Sequence, residues 1–255
     1  PRSNQATRAS RVETSWLVCD NNSASPLPPK SRFGRAVLQP LYRRAADKSG
    51  FNMIAAPIAL ALTFFLYALP RIPRRIIRLA RRAKRPTVRI WTDACWEPTA
   101  SHPAGLGIVI NFPSYITHQG KHVPERWMHA YTQLGASHEI FNHLAKKKQY
   151  ITQLEMIAAV AAYTTFGDLL TDRKAVHWID NQGALAGLIK GYGRDSDCAK
   201  LLHAQVAISL ITKACIWYAY IASEANIADL PSRGDLEYLT TLGSEERVLV
   251  IPELD

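Results

Sequence analysis

Four carboxylates in the chain have comparable settings. Asp93 closes the alternating stretch "TVRIWTDA", Glu155 lies within "ITQLEMIAAVAAYTTFGDLL", Asp180 ends "KAVHWID", and Asp229 follows "EANIA". Carboxylates gathered at one place repel each other and raise their own pKa values unless a cation joins them, so a cluster of these four would call for Mg²⁺. Two such ions, roughly 4 Å apart, would activate a water and steady a phosphate leaving group. Each acid also has a plainer use. Asp93 could sit in a turn, Asp180 with Asn181 could cap a helix beginning at Gln182, Glu155 could be a solvated helix residue, and Asp229 a surface cap.

The elements around these residues decide whether they can meet. "TVRIWTDA" and "KAVHWID" have the β-branched and aromatic content of strands, each ending on an acid. If the two strands run parallel and adjacent, joined by a crossover helix, Asp93 and Asp180 leave the sheet at the same edge. "AGLGIVINF" is a second strand, and either "SYITHQGKHV" or "ERWMHAYTQ" supplies the third. The stretch 151–170 has the apolar spacing of a helix packed on the sheet, with Glu155 sharing a face with Ile151, Ala158 and Ala159. "NQGALAGLIKG" and "DCAKLLHAQVAISLITK" are further helices, "ACIWYAYIAS" a last strand, and "EANIADLPSRG" a short helical piece ending near Pro231. A run of strands followed by alternating strands and helices predicts a mixed α/β sheet.

The chain has 255 residues and a formal charge of +10, unevenly placed. Residues 1–90 hold 18 Lys or Arg against 3 acids, and residues 91–255 hold 13 against 18. Any polyanion-attracting surface is therefore expected upstream. Residues 1–36 have linker composition and are expected to be a disordered or extended lead-in. "RAVLQPLYRRAADKSG" suggests short helices broken at Pro40 and stopping at Gly50. Met53 to Pro70 carries no charge over 18 residues, the lower limit for a membrane span. Pro57, Thr63 and Tyr67, with the basic amphipathic "RRIIRLARRAKR" after it, favour a buried helix followed by a solvated or phosphate-contacting one over a span. Four cysteines without a CxxC pair suggest neither a disulfide framework nor a zinc site, and favour a reducing, intracellular setting, cytoplasm or nucleus. The absence of a leader pattern does not indicate secretion, and a start at Pro1 suggests part of something longer.

"WTDAC" (Trp91 to Cys95), "LEMIAAVAA" (Leu154 to Ala162), "WIDNQGAL" (Trp178 to Leu185) and "NIADLPSR" (Asn226 to Arg233) occur in that order, with acids 62, 25 and 49 residues apart. Together they resemble the ribonuclease H domain of retroelement reverse transcriptases, over residues 87–234. The resemblance implies an α/β, ribonuclease H-like fold: a five-stranded mixed sheet, its first three strands antiparallel, with helices on both faces. It carries the Asp-Glu-Asp-Asp set onto Asp93, Glu155, Asp180 and Asp229, with two Mg²⁺ ions, for which Mn²⁺ could substitute. Asp93 would bridge both ions, Glu155 and Asp180 would each help hold one, and Asp229 would complete the second site. The implied activity is endonucleolytic hydrolysis of the RNA strand of an RNA/DNA hybrid. Asn181, Asn226, Ser232 and Arg233 match positions beside the acids, where they would touch acids or substrate, although capping accounts for the asparagines almost as well.

"LQPLYRRAA" and "ALALTFFLYALPR" look like the connection region of a reverse transcriptase, which implies an upstream polymerase portion in the same polyprotein. The expected organisation is thus 1–36 lead-in, 37–86 connection-like helical segment, 87–240 ribonuclease H-like domain and 241–255 C-terminal tail. Two departures stand out. The Asp93–Glu155 interval is longer than the compact family pattern, with residues 121–150 unassigned, and "WYAYIASEANIAD" lacks the histidine that in many members precedes the last aspartate, so slower turnover is expected. The alternative is a catalytically decayed nucleic-acid-binding module of the same fold, against which the presence of all four acids argues.

Overall fold

Alternation governs the first strand of the domain. In β1 (Val88–Trp96), Val88, Ile90 and Thr92 are fully buried on one face, while Arg89 and Trp91 on the other are half-buried. The computed structural model describes residues 56–68 and 85–252, apart from 148 and 194, together with residue 41. The expected lead-in 1–36, the helices around Pro40 and the basic run after Pro70 lie outside the described residues. Upstream of β1, helix α1 (Ala56–Ala68) buries Ala61 and sets Phe64 edge-on against the His203 ring at 4.3 Å. Among the described residues no helix is long and apolar enough to cross a membrane.

From β1 the chain turns back through β2 (Ala104–Phe112), in antiparallel register from Arg89↔Asn111 to Trp96↔Ala104. It then forms a small separate hairpin, β3 (Tyr115–Ile116) with β4 (His122–Val123). Gly120 closes its turn at φ +76°, where a side chain would be strained. The third strand of the main sheet is β5 (Arg126–Leu134), antiparallel to β2. Of the two candidate stretches, "ERWMHAYTQ" is therefore the sheet strand and "SYITHQGKHV" the side hairpin. Half of residues 121–150 are accounted for by β4, β5 and the one-turn helix α2 (Ile140–His143).

Helix α3 (Ile151–Leu170) crosses the sheet, buries Leu154 to Ala162 without a break, and leads to β6 (Lys174–Ile179), parallel to β1. Then follow α4 (Gln182–Lys190), α5 (Ser196–Thr212) and β7 (Cys215–Tyr220), the last parallel to β6. The main core joins Ile90, Ile108 and Ile110 to Leu154, Ile157 and Leu201. On the opposite face α6 (Asp229–Ser232) and α7 (Glu237–Thr241) bring Ala228 and Leu239 against Val109, with Trp91 and Trp127 stacked beside them at 5.8 Å.

The expectation of five strands is corrected. The sheet has six, in the order β7-β6-β1-β2-β5-β8, because the two-residue β8 (Glu245–Glu246) pairs in parallel with Met128 and His129 of β5. Two contacts draw it to that edge: Arg126 grips Glu245 through both carboxylate oxygens, and the Arg247 N–H donates to the His129 carbonyl at 2.8 Å. The strap continues along α3, where the Val250 N–H donates to Thr165 Oγ1 at 3.0 Å. The expected mixed order, antiparallel first three strands and helices on both faces are all present.

Candidate metal centre

β1 and β6 run parallel with Trp91 beside Trp178, so Asp93 and Asp180 stand two residues beyond that pair at the same edge of the sheet. Asp93 is only 4% exposed and Glu155 3%. Glu155 reaches the same edge from the second turn of α3. Asp93, Glu155 and Asp180 each offer a carboxylate oxygen, and these lie within 4.8 Å of one another.

The helix after Asp180 is capped by its neighbour. Asn181 Oδ1 accepts from the Ala184 N–H at 3.0 Å, so the cap belongs to Asn181 and the Asp180 carboxylate is left for other work. Ser223, in a 3₁₀ turn after β7, donates to Asp180 Oδ2 at 2.8 Å.

Two glycines bring α6 against Asp93. Gly107 faces Asp93 across the β1–β2 ladder, and a Cβ on it would lie 2.4 Å from the Ala228 carbonyl oxygen. A Cβ on Gly105 would lie 1.9 Å from the Ser232 carbonyl oxygen. Only bare backbone admits this approach. As a result Ser232, fully buried, donates to Asp93 Oδ2 at 2.6 Å. The Ser232 carbonyl in turn accepts from Gln133 Nε2 at 2.8 Å and Cys95 Sγ at 3.2 Å. Buried Asn226 donates to the Thr92 carbonyl at 3.0 Å and stands 3.4 Å from Asp93 Oδ1.

Asp229 is outside the three-acid group. Its Oδ1 accepts from Arg233 Nε at 2.8 Å, and Arg233 also reaches Glu97 at 3.3 Å. It is still near enough for its charge to be felt at Asp93 and Glu155. Ser223, Gln133, Cys95 and the two glycines were not singled out in the sequence. The glycines carried the one available signal, since "GLG" places both on one strand face.

Electrostatics distinguishes this edge from a surface acid cluster. Burial pushes the Asp93 carboxyl up to about 7, the Ser232 hydrogen bond opposes that, and the charges of Asp180 and Asp229 add to it. Glu155 is raised well above its ordinary value, first by burial and then by Asp93 and Asp180, against the lowering effect of the Ala94 N–H. Glu155 Oε2 and Asp180 Oδ1 are buried without a hydrogen-bond partner. Leaving a buried acceptor unmatched costs about 1–3 kcal/mol, more when it is charged. Oxygen donors that converge and repel one another, two of them without a protein partner, suit a hard divalent cation. The residues fit the metal that the resemblance implied.

No protein-family model matches the chain, and no curated protein does. Among solved structures it is similar to RNase H1 of the halophilic archaeon Halobacterium salinarum, at 17% identity over 60% of this chain and 99% of that one, with a TM-score of 0.37. It is also similar to the N-terminal RNase H domain of a Mycobacterium tuberculosis protein, at 15% identity over 62% and 98%, TM-score 0.38. The protease–reverse transcriptase of prototype foamy virus is a third, at 10% identity over 60% of this chain and 21% of that one, TM-score 0.33. At such low scores the fold assignment rests on the chain's own strand order and crossovers.

Proposed function

We propose that this chain is a ribonuclease H-type endonuclease that hydrolyses the RNA strand of an RNA/DNA hybrid, and that it works as part of a retroelement reverse transcriptase polyprotein. The observation that carries the hydrolytic reading is the meeting of Asp93, Glu155 and Asp180 at one sheet edge with two buried carboxylate oxygens unpartnered. These three acids would hold Mg²⁺ or Mn²⁺, with Asp229 contributing to a second ion. When bound, the metal supplies an activated water and neutralises charge on the phosphate. Ser232 and Asn226 hold the Asp93 carboxylate in one orientation, from opposite oxygens. Ser223 does the same for Asp180. Arg233 keeps Asp229 near the edge and is exposed enough to meet a phosphate. The hybrid would be recognised through backbone shape and 2′-hydroxyls, with little sequence preference. The order of motifs along the chain, and the connection-like stretch upstream, support the retroelement setting.

The test is cleavage of a labelled RNA/DNA hybrid by wild type and Asp180→Asn side by side, with a DNA duplex as control. Mg²⁺-dependent cutting of the RNA strand by wild type, lost in Asp180→Asn, is expected. Equal, metal-independent cutting by both would sink the assignment.

A further inference from the structure

The ladder between β1 and β6 stops before the acids do. Its residue pairs run from Val88↔Ala175 to Trp91↔Trp178, and Asp93 and Asp180 both lie beyond the last of them. Backbone pairing therefore does not by itself set the separation of the two carboxylates. A side-chain bond spans the end of the ladder: Thr92 Oγ1, one residue past the last pair, and His177 Nε2, one residue before it, are 2.8 Å apart, both residues fully buried, on the face away from α6.

That bond is braced from behind. His177 Nδ1 meets the Tyr163 hydroxyl of α3, the Tyr218 ring of β7 packs against the imidazole at 5.7 Å, and the Tyr218 hydroxyl accepts from Gln205 Nε2 of α5 at 2.9 Å. A neutral imidazole has one donor and one acceptor, so it matches a hydroxyl on each side in either tautomer. Forward of the bond, the Thr92 carbonyl accepts from Asn226, the same amide that approaches Asp93. Buried polar groups, joined by hydrogen bonds and by the His177–Tyr218 ring contact, thus run from α5 through the sheet to Asp93.

We propose that Thr92 and His177 are positioning residues, whose mutual hydrogen bond, braced by Tyr163, Tyr218 and Gln205, fixes the Asp93–Asp180 separation where the strand ladder has ended. The inference rests on the metal-site reading given above. Thr92→Val keeps the shape of the side chain and deletes its hydroxyl; Thr92→Ser keeps the hydroxyl. Three quantities are measured on each: Mn²⁺ affinity without nucleic acid, kcat and KM on the hybrid, and the urea midpoint. Losing an outer-shell partner costs about 10–100-fold in metal affinity or activity. Thr92→Val is expected to lose about tenfold or more in both Mn²⁺ affinity and kcat, with KM within about twofold, and Thr92→Ser to recover them.

A lowered urea midpoint with Mn²⁺ affinity and kcat unchanged overturns the proposal, because these polar groups then only support the fold. Should Thr92→Val not fold, Tyr163→Phe removes the brace behind His177 and is judged by the same criteria. A wild type that binds Mn²⁺ but leaves the hybrid intact removes the hydrolytic reading, and the affinity measurement still decides the positioning role. A wild type that binds no Mn²⁺ overturns both.

Discussion

The β8 edge of the sheet and the ends of its central strands treat charge in opposite ways. At the β5–β8 edge, Arg126 meets Glu245 and Arg247 meets Asp168, each pair exposed and joined through two bonds. Where the central strands β1 and β6 part, Asp93 and Glu155 are buried with Asp180 between strand and solvent, and no Lys or Arg among the described residues is hydrogen-bonded to any of the three. Cations in the first region lower the acids: Arg126 holds Glu245 below its ordinary range, and Arg247 does so for Asp168. Burial and like charge in the second raise Asp93 and Glu155. A fold that matches charges in one place and withholds cationic partners in the other stores electrostatic free energy where a ligand can release it.

The contrast is broken most strongly with pH. Asp93 has a folded pKa near 7 against 3.8 when unperturbed, so between these values the folded state binds more protons than the unfolded one. Stability without metal should therefore be fully present below about pH 4 and decline as pH rises through 7, by on the order of 4 kcal/mol from this group. Urea melts in chelator at pH 5 and pH 8 capture about 3 kcal/mol of it, the part lost above pH 5, and Mg²⁺ should restore stability at the higher pH. A metal-free protein no less stable at pH 8 than at pH 5 contradicts the stored repulsion.

A smaller effect is expected at Glu155. Gln in its place keeps an oxygen for the Ala94 N–H and cannot ionise, so at pH 8.5 without metal the variant should be more stable than wild type by about 1–3 kcal/mol. Hydrolysis should be lost at the same time. Destabilisation of Glu155→Gln under these conditions would place the residue with the structural acids instead. Gly107→Ala tests whether the close approach of α6 is required: its Cβ would press on the backbone at Ala228 and Ser232. Overpacking of this kind costs about 1–3 kcal/mol, and Asp93 should lose its Ser232 bond, seen as a fall in Mn²⁺ affinity. Unchanged affinity would show that the Ser232 bond survives the added methyl.

Local pattern carried most of what positions the site. Alternation in "TVRIWTDA" and "KAVHWID" located β1 and β6, and the unbroken apolar face around Glu155 located α3, since each is decided by residues close in sequence. β8 was not legible, because two residues carry no alternation and its pairing depends on an Arg126–Glu245 bond spanning 119 positions. The choice between Asp180 and Asn181 as helix cap was equally open in the sequence, as both side chains can cap. Geometry settled it through the Ala184 N–H. Asp229 shared its motif with Asn226 and Ser232, yet only those two bond inward to the β1 acid, while Asp229 turns to Arg233.

The β5–β8 edge supplies the smallest expected change and the control for all the others. Asp168→Asn removes the carboxylate gripped by Arg247 and leaves the Arg247 bond to the Thr165 carbonyl at 2.9 Å in place. Exposed pairs are screened by water and salt, so the loss should fall within about 0.2–1 kcal/mol and shrink further at high ionic strength. The sign with pH is opposite to that of Asp93. A lowered folded pKa makes the Asp168 contribution present above its unfolded value of about 3.8 and lost as pH falls through the folded one. Urea midpoints of wild type and Asp168→Asn at pH 7 should therefore differ slightly and converge near pH 2. Mn²⁺ affinity should be unchanged in this variant, and a shift there would mean that the two regions are coupled through α3.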